Sequence, residues 1–294
     1  MELRLGIVTP VAHTNPRFES SSWETTGTID DVVVVAREAD RLGYDWVAVS
    51  EHTAIPAEAT GVRGPRYWDP VATLAHLAAH TGRVGLLGHV VVLGYHHPLQ
   101  VVKAWGTLDV ISRGRVILGV GVGSLQAEFE LLERPFEGRG ERADDALRAI
   151  RASWGDPTPA YRGPHFSYSG FLVDPCGLPR HLDIWVGGRT RRSLRRALTL
   201  GDGWIPFRLQ AEEVAALFAD PEIRALHEAR TTPLQVVLAP EPPLDPGAQP
   251  SETADVLAAM VAAGATGFSL RFVNRSRAHY LEQLAALQVV VQSM

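Results

Sequence analysis

Apolar residues along the chain form eight short runs, and the segments between these runs repeat apolar positions at helical spacing. Each run is rich in apolar, often β-branched residues and is too short for a helix, so we predict a buried strand in each. The predicted strands cover residues 3–9, 45–49, 84–93, 115–120, 184–187, 204–206, 234–239 and 267–272.

A helix is predicted after every strand. Thr28 with Asp31 three positions later has the form of a capping box, and Asp69-Pro70 has the form of an N-cap followed by the first helical position. Gly43 is predicted to end the first helix, which begins after Thr28. The other predicted helices cover residues 70–81, 99–111, 126–132, 143–154, 191–200, 212–219, 221–229, 252–263 and 276–291.

Strands that alternate with helices favour a parallel sheet, either open and doubly wound or closed into a barrel. Eight units in 294 residues fit an α/β fold of the (β/α)8 TIM barrel type, as a single domain over residues 1–294. The turn-rich segment 155–181 is predicted to be a small insertion between helix four and strand five, with a hairpin around Tyr168-Ser169-Gly170. Because the insertion follows a helix and precedes a strand, we expect it away from the catalytic end. The proline-rich run 240–250 follows strand seven, so we interpret it as a loop at the catalytic end.

Composition and charge exclude several classes of partner. The formal net charge of −5 gives no reason to expect nucleic acid or an anionic membrane, and no apolar run reaches the roughly 18 residues of a membrane helix. Cys176 is the single cysteine, so an internal disulfide is impossible and a reducing compartment is favoured. The N-terminal segment lacks the features of a signal peptide. We therefore predict a cytoplasmic protein with a small-molecule substrate.

Titratable side chains collect where the predicted strands end, which is the end of a barrel at which catalytic loops converge. Glu51 and His52 directly follow strand two, and a carboxylate beside an imidazole can move protons near neutral pH. His13 and Asn15 follow strand one, and His89 lies within strand three. The alternatives are a helix cap or solvated loop for the first pair and a core position for His89. The histidines lack the paired spacing of a metal site, so no metal is predicted.

A glycine-containing loop follows strand four. Gly119, Gly121 and Gly123 precede Ser124 in a G-x-G-x-G pattern, which differs from the G-x-G-x-x-G fingerprint of dinucleotide-binding folds. Glycines at the end of a strand nevertheless let a ligand approach the backbone closely.

The segment Gly187-Gly188-Arg189-Thr190 opens a helix whose first turns carry four further arginines. Cations at a helix N-terminus oppose the macrodipole, so this arrangement costs stability unless an anion lies there. A phosphate would accept hydrogen bonds from free N–H groups and from an arginine together. We therefore predict a phosphate site here, with a solvated basic face as the alternative for some arginines. The four further arginines are Arg191, Arg192, Arg195 and Arg196.

Three long segments, in order, resemble the bacterial luciferase-like superfamily, and more narrowly its branch that depends on the 5-deazaflavin coenzyme F420. They are GYDWVAVSEHTAIP, the segment from RYWDP to FELL, and IWVGGRTRRSLRRALTLGDGWIP. The resemblance covers nearly the whole chain. It implies a barrel that binds a flavin or deazaflavin with its ring at the C-terminal face of the strands.

The resemblance also implies roles for individual residues. Glu51 and His52 match the family's acidic residue and histidine beside the ring. The bond His89–Val90 falls where the family has a non-prolyl cis peptide behind the ring, although His89 replaces the small residue that is usual there. The positions implied to hold the phosphate-bearing tail are Gly119, Gly121, Gly123, Ser124, Gly187, Gly188, Arg189 and Thr190.

The resulting hypothesis is hydride transfer between coenzyme F420 and a small organic substrate, with the redox chemistry supplied by the cofactor. His52 is the first candidate for proton transfer, Glu51 orients it or contacts the ring, and His13 is the next catalytic candidate. Further substrate-side candidates are Trp68, Glu128, Arg208 and Arg271.

Two alternatives remain open. An FMN-dependent monooxygenase on the same barrel would use reduced flavin to activate oxygen, which a deazaflavin does not do usefully. A non-catalytic flavin-binding barrel is disfavoured by the Glu51-His52 pair and the complete glycine loops. We also expect a homodimer, which is common in the superfamily, with residues 74–79 and 101–111 as contact faces.

Overall fold

The architecture is a closed barrel of eight parallel strands surrounded by helices. The structure is a computed structural model that describes residues 3–14, 16 and 22–294. Each strand pairs in parallel with its neighbours in sequence, and β1 pairs with β8 to close the barrel. The strands are β1 (Arg4–Val8), β2 (Trp46–Val49), β3 (Gly85–Gly88), β4 (Val116–Gly121), β5 (Asp183–Gly187), β6 (Gly203–Ile205), β7 (Gln235–Leu238) and β8 (Gly267–Leu270). The predicted TIM barrel is confirmed.

The third predicted strand is interrupted. β3 ends at Gly88, the peptide bond His89–Val90 is cis, and a separate two-residue strand, Val91–Val92, pairs with β4. The cis bond at this position is confirmed, whereas the continuous strand over residues 84–93 is wrong.

The helices begin at the predicted caps. The Thr28 N–H donates to Asp31 Oδ2 at 2.8 Å, and Asp69 Oδ1 accepts from the Ala72 N–H at 2.7 Å. Gly43 ends the first barrel helix with a φ of 82°. Helix Ser22–Thr26 and the short turns Ala57–Ala59, Thr60–Arg63 and Leu93–Tyr95 lie in segments predicted as loops or strand. The remaining helices are Ile29–Leu42, Pro70–Ala78, Pro98–Ser112, Gln126–Leu131, Arg139–Ser153, Arg191–Leu200, Ala211–Ala219, Pro221–Glu228, Pro250–Ala262 and Arg277–Ser293.

Two tryptophans fill the barrel interior toward the N-terminal ends of the strands. The rings of Trp46 and Trp185 meet edge to face at 5.0 Å, and both side chains are fully buried. Glycines make room for them, since a Cβ at Gly6 would lie 2.1 Å from the Trp46 ring and one at Gly203 would lie 2.6 Å from Trp185. The barrel interior is therefore closed toward the N-terminal ends of the strands, which leaves the C-terminal end for a ligand.

A polar cavity of about 390 Å³ opens at the opposite, N-terminal end. Arg4 lines it and lies over the rings of Trp46 and Trp185 at 5.4 and 5.5 Å, so Arg4 separates the cavity from the two tryptophans. Arg115 and Arg180 also line it, but their guanidinium groups donate to backbone carbonyls and, for Arg180, to Asp109. These arginines join the ends of strands and helices. Such contacts at the N-terminal end of a barrel contribute to stability rather than to catalysis.

The insertion before β5 contains a hairpin, but its turn lies earlier than predicted. Strand Tyr161–Arg162 pairs with Ser167–Tyr168, and the Gly163 N–H donates to the Phe166 carbonyl at 2.8 Å. The turn at residues 168–170 is wrong because the Tyr168 side chain is buried and its hydroxyl lies 2.8 Å from the Ser153 hydroxyl. The insertion packs on the outside of the barrel, where Phe166 contacts the ring of His97. The run 240–250 connects β7 to its helix, as predicted.

The two helices expected to form a dimer face use most of their apolar residues within the protomer. Leu74, Leu77 and Trp105 are buried, and Val110 and Ile111 are exposed. The homodimer stays a prediction. Across the described residues, none of the helices combines the length and apolarity that crossing a membrane requires.

Candidate active site

His52 is held by a buried carboxylate at the C-terminal mouth of the barrel. Its Nδ1 lies 2.7 Å from Oε2 of Glu128, whose side chain is fully buried. Glu128 belongs to helix Gln126–Leu131, directly after β4, and it also accepts from the Tyr95 hydroxyl at 2.6 Å and the Ala54 N–H at 3.2 Å. The Thr53 N–H donates to the same carboxylate at 2.5 Å. Glu128 thus joins the loops that follow β2 and β3.

The charge state of Glu128 follows from these contacts. Burial opposes ionisation, but the hydrogen bonds from His52 and Tyr95 outweigh it and lower the pKa of Glu128. An ionised carboxylate only accepts hydrogen bonds, so the proton of the contact lies on His52 Nδ1. The predicted substrate-side role for Glu128 is replaced by a role behind His52.

Glu51 has a different partner from the one predicted. Its Oε1 lies 2.8 Å from His96 Nε2, and its Oε2 accepts from the Val92 N–H at 2.6 Å. Burial lowers the pKa of His96, but the hydrogen bond and charge of Glu51 outweigh it and raise the pKa overall. Glu51 therefore anchors the segment after β3 and does not orient His52. Adjacent residues at a strand end point to opposite sides, which explains the separation.

Tyr67 contacts both of the histidines that were predicted to be catalytic. Its ring is stacked on His13 at 5.6 Å and meets His52 edge-on at 4.5 Å. A backbone bridge between His13 and Tyr67 ties the loop after β1 to the loop after β2. Tyr67 was not predicted, because no strand or capping signal marks its position. Asn15 lies outside the described residues.

His13 is buried and contacts a cation. Nη2 of Arg271, directly after β8, forms a hydrogen bond with His13 Nε2. Burial, followed by the charges of Arg271, His89 and His52, lowers the pKa of His13 well below its ordinary value. His13 is therefore a neutral imidazole at physiological pH.

His89 completes this wall of the crevice. Its Nδ1 lies 3.4 Å from the hydroxyl of Ser269 on β8. Burial and the charge of Arg271 lower the pKa of His89 to about 4. His89 therefore lies inside the barrel as a neutral side chain, as the alternative of a core position predicted. It also lies next to the crevice at the C-terminal end.

The glycines within β4 and β5, and Gly123 shortly after β4, contact protein groups. A Cβ at Gly121 or Gly187 would lie 2.7 Å from a γ-methyl of Val90, and one at Gly119 would lie 2.0 Å from the Gly88 carbonyl oxygen. Gly123 has a φ of 78° and faces the Phe129 ring. Close packing of the barrel explains why these positions are glycine.

Most of the arginines after β5 are paired with carboxylates. Arg191 and Arg195 both contact Glu222, Arg191 also contacts Asp220, and Arg196 contacts Asp144. Protein carboxylates therefore balance these three arginines, which the alternative of a solvated basic face had not anticipated. Thr190 is the N-cap, and its hydroxyl accepts from the Ser193 N–H.

Other cationic groups surround the ends of β4 and β5. Arg189 is exposed and lies 5.7 Å from the Phe207 ring, and within the described parts of the chain it forms no ion pair. Arg63 Nη2 lies 3.4 Å from Ser124 Oγ, and Arg139 Nε donates to the Gly123 carbonyl at 3.1 Å. Arg63 and Arg139 therefore contact the residues after β4 that were predicted to bind an anionic group, and Arg189 follows β5.

The remaining predicted residues lie elsewhere. Trp68 packs against the main core, and Arg208 lies 4.0 Å from Glu241 at the rim. At the opposite end of the barrel, His181, Asp183 and Asp202 bring ligand atoms within 4.8 Å of one another. Asp202 there is already bound by Arg151 and His181.

Known proteins resemble this chain in sequence and in structure. It is 28% identical over 213 residues to a phthiodiolone/phenolphthiodiolone dimycocerosates ketoreductase of Mycobacterium bovis, covering 69% of this chain and 55% of the relative. A monooxygenase from Streptomyces bottropensis superimposes with a TM-score of 0.75 at 22% identity, over 99% of both chains. An F420-dependent secondary alcohol dehydrogenase in complex with an F420-acetone adduct gives a TM-score of 0.73 at 14% identity, over 98% of this chain and 99% of that one.

The sequence also matches a family model over almost its full length. The model describes the luciferase-like monooxygenases, and the match covers residues 3–287. The superimposed structures share the same barrel. The protein therefore belongs to the luciferase-like monooxygenase family.

Proposed function

We propose that the protein is an oxidoreductase that transfers a hydride between coenzyme F420 and a small organic substrate. The observation that carries the proposal is the pairing of His52 with buried Glu128 at 2.7 Å. Hydride transfer at a carbon that bears oxygen or nitrogen also moves one proton, and a histidine held in this way can give or accept it.

His52 exchanges this proton through Nε2. Because Glu128 fixes the Nδ1 proton, the neutral ring has its lone pair on Nε2 and acts as a base. After accepting a proton, the same atom acts as an acid. Tyr67 meets the His52 ring edge-on, so the carboxylate and the phenol together fix the orientation of the ring.

The residues at the ends of β4 and β5 fit the anionic tail of F420. Arg189, Arg63 and Arg139 provide guanidinium donors there, and the N-terminus of helix Arg191–Leu200 provides backbone N–H groups. Val90 provides an apolar wall between β4 and β5. When bound, F420 supplies or takes up the hydride.

An FMN-dependent monooxygenase is the second candidate. It is supported by the family match and by the superposition on a monooxygenase over 99% of both chains. The same donors would bind the single phosphate of FMN. The role of the protein would then be to exclude water from a flavin–oxygen reaction. It would not guide a hydride to the substrate.

Cofactor titrations test the proposal. The purified protein is titrated with oxidised and reduced F420 and with oxidised and reduced FMN, and each affinity is measured by fluorescence. Tighter binding of F420, with anaerobic oxidation of reduced F420 by a panel of small carbonyl and imine compounds, is the expected result. Tighter binding of FMN, with oxygen uptake that depends on an organic substrate, would support the monooxygenase instead.

A further inference from the structure

The contact between Arg271 and His13 determines which nitrogen of His13 carries a proton. A guanidinium group has only donors, so the His13 Nε2 that contacts Arg271 Nη2 must accept. A neutral imidazole that accepts at Nε2 has its hydrogen on Nδ1. His13 therefore presents an N–H donor that does not ionise.

The surroundings of His13 disfavour its imidazolium form. Burial and the neighbouring Arg271, His89 and His52 all lower its pKa, and the Tyr67 ring is stacked on it with an interplanar angle of 15°. Among the described residues, Arg271 after β8, His52 and Tyr67 after β2, and His89 after β3 are the charged and titratable groups that face His13.

The backbone before His13 is fixed by a strained turn. The Ala12 N–H donates to the Pro10 carbonyl at 2.7 Å, and buried Val11 between them has a φ of 68°. A β-branched residue at positive φ is unfavourable, and such strain persists where packing or function requires one geometry. Val11 is held by the backbone at Gly27, where a Cβ would lie 2.7 Å from its γ-methyl group. The position of His13 is therefore set by rigid structure.

We propose that Arg271 holds His13 as a neutral Nδ1–H donor for the reacting oxygen of the substrate, and that the substrate is a ketone, an aldehyde or the corresponding alcohol. This inference rests on the proposed function. His13 and His52 both contact the Tyr67 ring, and we assign them different roles. His13 polarises the oxygen without transferring its proton, and His52 Nε2 exchanges a proton with the same oxygen.

The reaction balances with these groups. In the reducing direction the carbonyl carbon gains a hydride from the reduced deazaflavin, and the electron pair of the C=O π-bond moves to oxygen. The oxygen takes the proton from His52 Nε2, which leaves His52 neutral and bound to Glu128. Oxidation of the alcohol runs the same steps in reverse, with His52 as the base.

The tautomer of His13 is measured without cofactor or substrate. The protein is labelled with ¹⁵N-histidine, the signals of His13 are assigned with His13→Gln, and long-range ¹H–¹⁵N correlations identify the protonated nitrogen. The expected result is a neutral ring with its proton on Nδ1 at neutral pH, because burial and the neighbouring charges lower the pKa of His13. A proton on Nε2, or an imidazolium at neutral pH, would overturn the proposal.

Two substitutions of His13 distinguish the nitrogens in catalysis. The amide N–H of His13→Asn can occupy the place of Nδ1, whereas that of His13→Gln reaches the place of Nε2. With reduced F420 and cyclohexanone, we expect His13→Gln to lower kcat by about 10²-fold, the loss for one oxyanion donor, and His13→Asn to lower it by about tenfold. Equal losses, or a smaller loss for His13→Gln, would contradict an Nδ1–H donor.

Arg271→Met tests the positioning role of Arg271, with Arg275→Met on the exposed part of the same loop as the matched control. In Arg271→Met the pKa of His13 is expected to rise, because one of the charges that lower it is removed, and the ring should lose the fixed Nδ1–H tautomer. Arg275→Met should leave both unchanged. The substrate assignment would be overturned if the wild-type protein binds F420 and has the expected tautomer but reduces no ketone or aldehyde in the panel. Failure to bind F420 would instead count against the proposed function.

Discussion

His52 and Glu128 are 76 positions apart in the chain, and Nδ1 of the histidine lies 2.7 Å from Oε2 of the carboxylate. The carboxylate is fully buried and also accepts from the Tyr95 hydroxyl and two backbone N–H groups. A buried carboxylate with this many donors is ionised and fixed in place. Its imidazole partner, His52, is therefore oriented by a carboxylate that groups from several loops hold in place.

Glu128→Gln is expected to lower turnover by about 10²-fold, the low end of the range for a positioned acid or base. The amide brings N–H groups toward backbone donors and removes the charge that fixes the His52 proton. The free energy of unfolding should also fall by about 1–3 kcal/mol, because buried donors lose their partner. Steady-state kinetics and urea unfolding measure the two effects. Tyr95→Phe removes one hydrogen bond from the same oxygen and keeps the charge, so its loss of turnover should be smaller; a larger loss would contradict the role of Glu128.

His52→Ala is expected to lower turnover by about 10²–10⁴-fold while cofactor affinity is largely kept. The reason is that His52 supplies the proton through Nε2 and its other nitrogen is bound to protein. Added imidazole should restore part of the turnover by occupying the space left by the ring. A loss of turnover below about tenfold, together with a collapse of cofactor affinity, would make His52 a packing residue beside the ring.

The strand and helix pattern was sufficient to predict the barrel, because each element carries its own periodicity and caps. The pairing of side chains between loops was not predictable in the same way. Glu51 and His52 are neighbours in sequence, yet Glu51 contacts His96 and His52 contacts Glu128. The sequence has no local signal for contacts across 45 or 76 positions. The arginines after β5 were informative as a cluster, but their carboxylate partners on Pro221–Glu228 and Arg139–Ser153 depend on helix packing.

Arg189→Ala is expected to weaken cofactor binding by about 1–3 kcal/mol, the range for a charge-assisted hydrogen bond, with turnover at saturating cofactor nearly unchanged. Arg195→Ala is the matched control, because it lies on the helix that follows and its guanidinium is already bound to Glu222. Isothermal titration with F420 measures both variants. Equal losses of affinity for the two variants would show that the anion site lies elsewhere.

His89 is expected to make the protein less stable in acid. The folded protein keeps His89 neutral down to about pH 4, whereas an unfolded histidine binds a proton below its ordinary value of 6.5. Between these values the unfolded state binds more protons, so stability is lost as pH falls and rises as pH increases. The effect amounts to roughly 3 kcal/mol at its maximum.

His89→Asn removes this dependence. The difference in the free energy of unfolding between neutral pH and about pH 4.5 should shrink relative to the wild type, as measured by urea titration at each pH. His76→Asn, at an exposed helix position, is the control and should leave the pH dependence unchanged. An unaltered dependence in His89→Asn would show that His89 does not remain neutral in the folded protein.

Gly187→Ala tests why the last residue of β5 is glycine. A Cβ at this position would lie 2.7 Å from a γ-methyl of Val90, so the substitution should lower the free energy of unfolding by about 1–3 kcal/mol through overpacking. Val90→Ala removes both γ-methyl groups, and in that background the cost of Gly187→Ala should fall by at least about 0.5 kcal/mol, the coupling expected for residues in contact. Gly61→Ala is the control, since no heavy atom lies within 4 Å of its Cβ position. If the cost is independent of Val90, the glycine is required by something other than this packing, and a bound cofactor that approaches the backbone becomes the better explanation. If the two substitutions are coupled, packing against Val90 explains why this position is glycine. The evidence for an anion at this end then rests on Arg189 and its neighbours.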